Sequence, residues 1–90
     1  MNTVVLRMTV AGEDLLLTSK FIVPPELGTR VAILPKEADY ELPHKVVGVI
    51  ADPFTGLINV RMEHSSEAPT SEKEVRFSLV LQSYGWTKAK

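Results

Sequence analysis

The chain has 90 residues and no cysteine, and ten Lys or Arg against eleven Asp or Glu give a formal net charge of −1. This length allows one domain over residues 1–90 without a second core. Missing thiols exclude disulfides and thiolate zinc sites, and the balanced charge gives no overall attraction to nucleic acid or anionic membranes. The sequence has no basic leader and no apolar run near about 18 residues, so we expect a cytoplasmic protein without a signal peptide or a membrane partner.

Apolar residues alternate along the first third of the chain and predict strands. The first strand is carried by Val4, Leu6, Met8 and Val10. Residues 11–14 form a turn, and residues 15–23 form a second strand that ends at Pro24 and Pro25, because proline cannot donate to a ladder. A short strand at residues 30–34 ends at Pro35. The polar connection that follows allows one helical turn over residues 36–40.

The centre of the chain carries the clearest hairpin signal. Two alternating runs, at residues 45–51 and 57–63, flank a tight turn at residues 52–56. Pro53 fixes φ at the first turn position, Asp52 can accept hydrogen bonds from turn amides, and Gly56 supplies a positive φ. We therefore predict a β-hairpin here.

The last quarter of the chain completes the predicted fold. Residues 64–71 are polar and lack periodicity, which predicts a mobile loop. Residues 72–82 alternate and predict a sixth strand, with Val75, Phe77, Leu79 and Leu81 on one face. The tail at residues 83–90 is expected to be partly flexible after Trp86. The prediction is an all-β fold: one small antiparallel barrel or sandwich of about six strands, with at most one short helical turn.

Part of this layout resembles the SH3-like small β-barrels. The resemblance rests on Phe21–Leu34, where a Pro-x-x-Gly turn at Pro25–Gly28 delivers a short strand, and on the hairpin within Val46–Val60. It implies the barrel fold. The acidic and aromatic peptide-binding motif and the paired tryptophans of SH3 domains are missing, so it does not imply their ligand. In size and lack of motifs the chain is similar to small accessory proteins of mobile gene cassettes and phages.

Several strands carry apolar residues on both faces, whereas a half-buried strand needs only one apolar face. A lone domain of this size has too little interior to cover them, which favours a second chain, most simply in a homodimer or otherwise another protein. The candidate contact residues are Val5, Leu16, Ile22 and Val80, with Trp86 at the margin. The alternative is that loops and the tail, with Tyr84 and Trp86, fold over this face.

A second hypothesis is a nucleic-acid surface built from Arg7, Arg61 and Arg76. It requires the last two strands to pair, with Phe54, Tyr40 or Trp86 stacking on bases. The alternative is that Glu63 and Glu74 neutralise these arginines across strands. The negative net charge favours neutralisation, so we expect no nucleic-acid partner.

One polar cluster lies in sequence at Asp39, Tyr40, Glu41 and His44. Carboxylates and imidazole can hold a metal ion or act as an acid–base set, and His64 could join His44 if the loops converge. However, the spacing matches no metal signature, and a solvated acidic loop explains these residues without any chemistry, so it is the favoured interpretation. No nucleophile elbow or phosphate-binding loop is present. We therefore expect a non-catalytic, protein-binding module without a metal or another cofactor.

Overall fold

Two hairpins supply the four long strands of the structure, a computed structural model that describes residues 1–35, 44–64 and 70–89. The strands in chain order are β1 (Asn2–Val10), β2 (Glu13–Phe21), β3 (Arg30–Val31), β4 (His44–Ala51), β5 (Ile58–Met62) and β6 (Thr87–Lys88), and one helix, α1 (Glu72–Ser83), lies between β5 and β6. The first five strands confirm the alternating pattern of the sequence, although β3 is shorter than predicted. The helical turn predicted over residues 36–40 lies outside the described residues.

The six strands form one open mixed sheet in the order β3-β4-β5-β1-β2-β6. β1 pairs with β2 in antiparallel fashion and with β5 in parallel. The small domain is therefore mostly sheet, as the all-β prediction requires, but a purely antiparallel arrangement is wrong. The sheet does not close into a barrel, because β3 and β6 lie at its two edges. Alternation in a sequence reports that a strand is half buried, and it does not report which strand lies beside it.

The central hairpin turn is confirmed in detail. The amide of Gly56 donates to the carbonyl of Asp52 at 2.9 Å, and Gly56 has a φ of 73°. The amide of Phe54 donates to the Asp52 carboxylate, also at 2.9 Å. This bond, followed by one from the Thr55 side chain, lowers the pKa of Asp52 below its ordinary value. Asp52 thus accepts hydrogen bonds from turn amides and Gly56 takes a positive φ, as predicted from the sequence.

The predicted sixth strand at residues 72–82 is wrong, because this segment forms the helix α1. The prediction of at most one short helical turn is therefore also wrong, since α1 has 12 residues. Ser71 caps the helix by accepting a bond from the Glu74 amide at 3.3 Å. Phe77 and Leu81, four residues apart, turn toward the core, whereas Leu79 is exposed. The alternating apolar residues therefore lie on different faces of the helix. The Ser-x-x-Glu capping pattern favours a helix more strongly than the alternation favours a strand. No helix within the described residues is long and apolar enough to span a membrane.

The core lies between one face of the sheet and a cover made of α1, the Trp86 ring and the Ile33–Leu34 segment. Trp86 is 2% exposed, and its indole Nε1 donates to the Ile33 carbonyl at 2.9 Å. Beyond it, Thr87 and Lys88 pair with β2 as β6, and the Ala89 amide donates to the Asp14 carbonyl at 2.8 Å. The tail is therefore docked through residue 89, where the sequence predicted fraying, because its backbone completes the sheet.

Candidate functional site

One side of β4 is open over Val47, Gly48, Val49, Ile50 and Ala51, a segment named here the β4 edge. β3 pairs with β4 only at His44 and Lys45, and backbone bonds from Gly28 and to Thr29 reach no further than Val46. Within the described residues, no strand pairs with the β4 edge on this side. Ile50 is 69% exposed, Val47 45% and Val49 39%. The β4 edge therefore combines unpaired backbone groups with apolar side chains.

Further exposed apolar side chains lie beside the β4 edge. Phe54, in the turn that follows β4, is 97% exposed. Leu27, which is 68% exposed, immediately precedes Gly28, whose amide donates to the Val46 carbonyl. The strand itself contains no charged residue between Lys45 and Asp52. Edge strands of stable monomers usually carry charges or prolines that prevent pairing with another chain, and the β4 edge has neither.

The residues proposed from the sequence as a contact surface do not form one exposed patch. Ile22 is exposed, Leu16 and Val80 are half-buried, and Val5 and Trp86 are buried. Trp86 belongs to the core, which matches the alternative in which it folds back over the sheet. The excess of apolar strand surface noted in the sequence is instead concentrated on β4.

The structure brings His44 and His64 together. Val46 pairs with Met62 in the antiparallel register of β4 and β5. His44 and His64 lie two residues beyond this pair in the same register and are therefore opposite each other. The His44 Nε2 and His64 Nδ1 atoms are 3.2 Å apart. The Phe77 ring of α1 stacks near both imidazoles, with centroid distances of 6.2 Å to His44 and 5.2 Å to His64. The register of the hairpin and the packing of α1 thus bring His44, His64 and Phe77 into one aromatic cluster.

Glu74 completes this cluster from the first turn of α1. Its two carboxylate oxygens lie 2.8 Å and 2.9 Å from His64 Nε2, and the residue is only 6% exposed. A buried carboxylate needs hydrogen-bond donors, so His64 carries its proton on Nε2. With that tautomer, His64 Nδ1 accepts a hydrogen bond from His44 Nε2. The chain of bonds fastens the start of α1 to the end of the β4–β5 hairpin.

This Glu–His–His chain has the form of an acid–base set but lacks a reacting partner in the described residues. Both ring nitrogens of His64 are engaged, and no described hydroxyl bonds to this residue. The nearby Ser78 hydroxyl accepts from Gln82. In residues 1–35, 44–64 and 70–89, no three His, Asp or Glu side chains are grouped to hold a metal ion. Asp39, Tyr40 and Glu41 of the predicted polar cluster lie outside these ranges.

The three arginines predicted to share one surface are separated into a pair and a single residue. Arg7 and Arg61 are register partners on β1 and β5, on the sheet face opposite the core. Arg76 lies on α1, where it pairs with Glu72 at 2.9 Å. The predicted ladder from Arg61 to Arg76 is wrong because residues 72–82 do not form a strand. Glu74 also does not neutralise an arginine, since it bonds to His64.

The roles of Glu74 and Phe77 were not predicted from the sequence. The signal was present in Ser71-Glu72-Lys73-Glu74, which is a helix-capping pattern, and a helix starting there places both residues on one face. The resemblance to SH3-like barrels stays a prediction. No protein-family model, curated protein or solved structure matches this chain.

Proposed function

We propose that the chain is a small, non-catalytic protein-binding module that self-associates as a dimer through the β4 edge. The observation that carries this proposal is the exposure of uncharged, apolar residues along a strand side that no described strand covers. Such an edge is a template for pairing with another strand. Two copies related by a two-fold axis satisfy each other's backbone groups, because the surface is self-complementary.

An antiparallel pairing centred on Val49 also accounts for the neighbouring residues. It sets Val47 of one copy opposite Ala51 of the other. The Asp52–Gly56 turn of each copy then lies beside residues 27–29 of its partner, so Phe54 faces Leu27. Lys45 of one copy approaches the Asp52 carboxylate of the other, and these two groups carry opposite charges at neutral pH. No like charges meet along the β4 edge, which supports a second copy as the occupant.

The proposed interface is small, because only about five residues of each strand pair. We therefore expect a dissociation constant on the order of micromolar, typical of interfaces at the lower end of the size range. A foreign protein with an exposed strand would use the same backbone groups. Its binding would compete with the dimer.

The test is sedimentation equilibrium of the wild type and two matched variants over concentrations from about 1 μM to about 1 mM. Ile50→Lys places a charge at the β4 edge, where two copies would bring like charges together, and should raise the dimer dissociation constant at least about tenfold. Ile50 is mostly exposed, so the fold should tolerate the change. Phe54→Ser should weaken the dimer by a smaller factor.

Leu79→Lys is the control, because Leu79 is similarly exposed, at 61%, but lies on α1. It should leave the dissociation constant unchanged. A wild type that is monomeric over the whole range would contradict the proposal. So would a dimer that Ile50→Lys leaves intact while circular dichroism reports a folded chain.

A further inference from the structure

Arg7 and Arg61 lie side by side on the sheet face that α1 does not cover. They are the last register pair between the parallel strands β1 and β5. Neither guanidinium forms an ion pair with a carboxylate of a described residue; the contact found is a bond from Arg7 Nε to the Asn59 Oδ1 atom at 3.3 Å. Like charges at paired positions repel each other. No carboxylate of a described residue lies within ion-pair distance of either guanidinium to offset this repulsion.

Beyond this pair, β1 and β5 separate and leave a pocket. Its volume is about 160 Å³, and Arg7, Arg61, Thr9, Asp14 and His64 contribute to its lining. The volume is ample for a group of five heavy atoms, since one water needs roughly 10–15 Å³ measured in the same way. The Thr9 hydroxyl donates to the Asp14 carboxylate at 2.8 Å. Asp14 thus adds one carboxylate to the pocket lining, and Arg7 and Arg61 are the two arginines that line it.

His64 also contributes to the pocket lining. Its ring nitrogens are engaged by His44 and Glu74, so the imidazole cannot swing into the cavity without breaking both bonds. The pocket lining therefore combines two arginines with a histidine whose ring is held by two hydrogen bonds. Arginine forks match oxyanion geometry because each can donate two parallel N–H bonds.

We infer that this pocket binds a phosphate dianion, either inorganic phosphate or the phosphoryl group of a small phosphomonoester. A tetrahedral phosphate offers enough oxygens for two forks at once, whereas a carboxylate offers only two oxygens. The bound dianion removes the repulsion between Arg7 and Arg61. Arg61 pairs with Gly48 of the β4 edge, but no residue of the β4 edge lines the pocket. The inference about phosphate therefore does not rest on the proposed dimer.

The test is a titration of the full chain with inorganic phosphate at constant ionic strength, followed by isothermal calorimetry and by the NMR signals of the arginine Nε–H groups. Saturable binding should shift the Arg7 and Arg61 signals. Arg7→Gln and Arg61→Gln should each weaken binding at least tenfold. Arg76→Gln is the matched control, because Arg76 lies on α1 in an exposed pair with Glu72 and carries the same charge. It should leave the affinity unchanged.

Arg7→Lys adds a conservative variant that keeps the charge but loses the fork, and it should bind more weakly than the wild type. A nucleoside monophosphate distinguishes the two sources of phosphate. If it binds as tightly as inorganic phosphate, the natural ligand is a phosphomonoester. If it binds at least tenfold more weakly, the natural ligand is the free anion. The inference is overturned if phosphate does not saturate or if Arg76→Gln weakens binding equally. It is also overturned if a single-stranded oligonucleotide binds with equal dependence on all three arginines.

Discussion

Asp52 is the residue whose local chemistry is clearest from the sequence alone. Its carboxylate accepts the Phe54 amide, and this bond is the main reason that its pKa lies below the ordinary value of 3.8. A carboxyl whose pKa is lowered by folding contributes stability above the unfolded pKa, and this contribution disappears as the pH falls through the folded pKa. The turn should therefore weaken in acid.

We expect the wild type to lose stability below about pH 4 more steeply than Asp52→Asn, which keeps an acceptor oxygen but cannot titrate. Urea unfolding at a series of pH values measures this difference. Parallel pH profiles for the two proteins would contradict the lowering of the Asp52 pKa by folding.

Ala11 is the non-glycine residue with a positive φ in the described part of the chain, at 54°. It precedes Gly12, which also has a positive φ, of 73°, in the two-residue turn between β1 and β2. Such a turn favours Asn-Gly, because Asn tolerates the left-handed region better than Ala does. The turn could be located from the sequence, but its strained first position could not.

Ala11→Asn should raise the free energy of unfolding by about 0.5–1 kcal/mol, because it relieves the backbone strain. Ala11→Val should lower it, since a branched side chain resists this φ more strongly. Chemical denaturation of both variants checks the opposite signs. Equal stability of all three proteins would show that the turn carries no strain.

At the scale of elements, α1 depends on its N-terminal cap more than on its apolar pattern. The helix exposes Val75 and Leu79, so the apolar residues do not line a single face. Ser71 satisfies the Glu74 amide, and the first turn is also held by the bond from Glu74 to His64. The start of the helix is thus fixed by two polar interactions.

Ser71→Ala should lower the free energy of unfolding by about 1 kcal/mol, the usual loss for an N-cap. Ser71→Asp should retain most of the stability, because a carboxylate also caps a helix and interacts favourably with its dipole. Thermal or urea unfolding, followed by circular dichroism, makes the comparison. Ser71→Ala with wild-type stability would contradict this role.

Elements with strong local signals were predicted correctly from the sequence. The predictions failed where contacts between residues far apart in the chain determine the structure. The central hairpin follows from Asp52, Pro53 and Gly56, and its register also accounts for the contact of His44 with His64. The parallel pairing of β1 with β5 has no local signal, because these strands are far apart in sequence. The roles of Glu74 and Phe77 were missed because their segment was assigned the wrong periodicity.

At the scale of the whole molecule, the sheet is covered on one face and left open along β4. The core residues come from both hairpins and from the segments that cover them, whereas Ile50 and Phe54 remain in solvent. At the opposite end of the sheet, β6 carries Thr87 and Lys88, which are polar and exposed. The two edges of the sheet therefore differ in chemistry, and only the apolar one suits pairing with a second copy.

The most direct measurement is amide hydrogen exchange in β4, resolved by residue and repeated across the concentrations that span the dimer equilibrium. Dimer formation through the β4 edge predicts that protection at Val49 and Ala51 rises with protein concentration, while Thr87 on the opposite edge exchanges at a constant rate. Exchange at Val49 and Ala51 that is fast and independent of concentration, in a protein that does form dimers, would contradict the proposed interface.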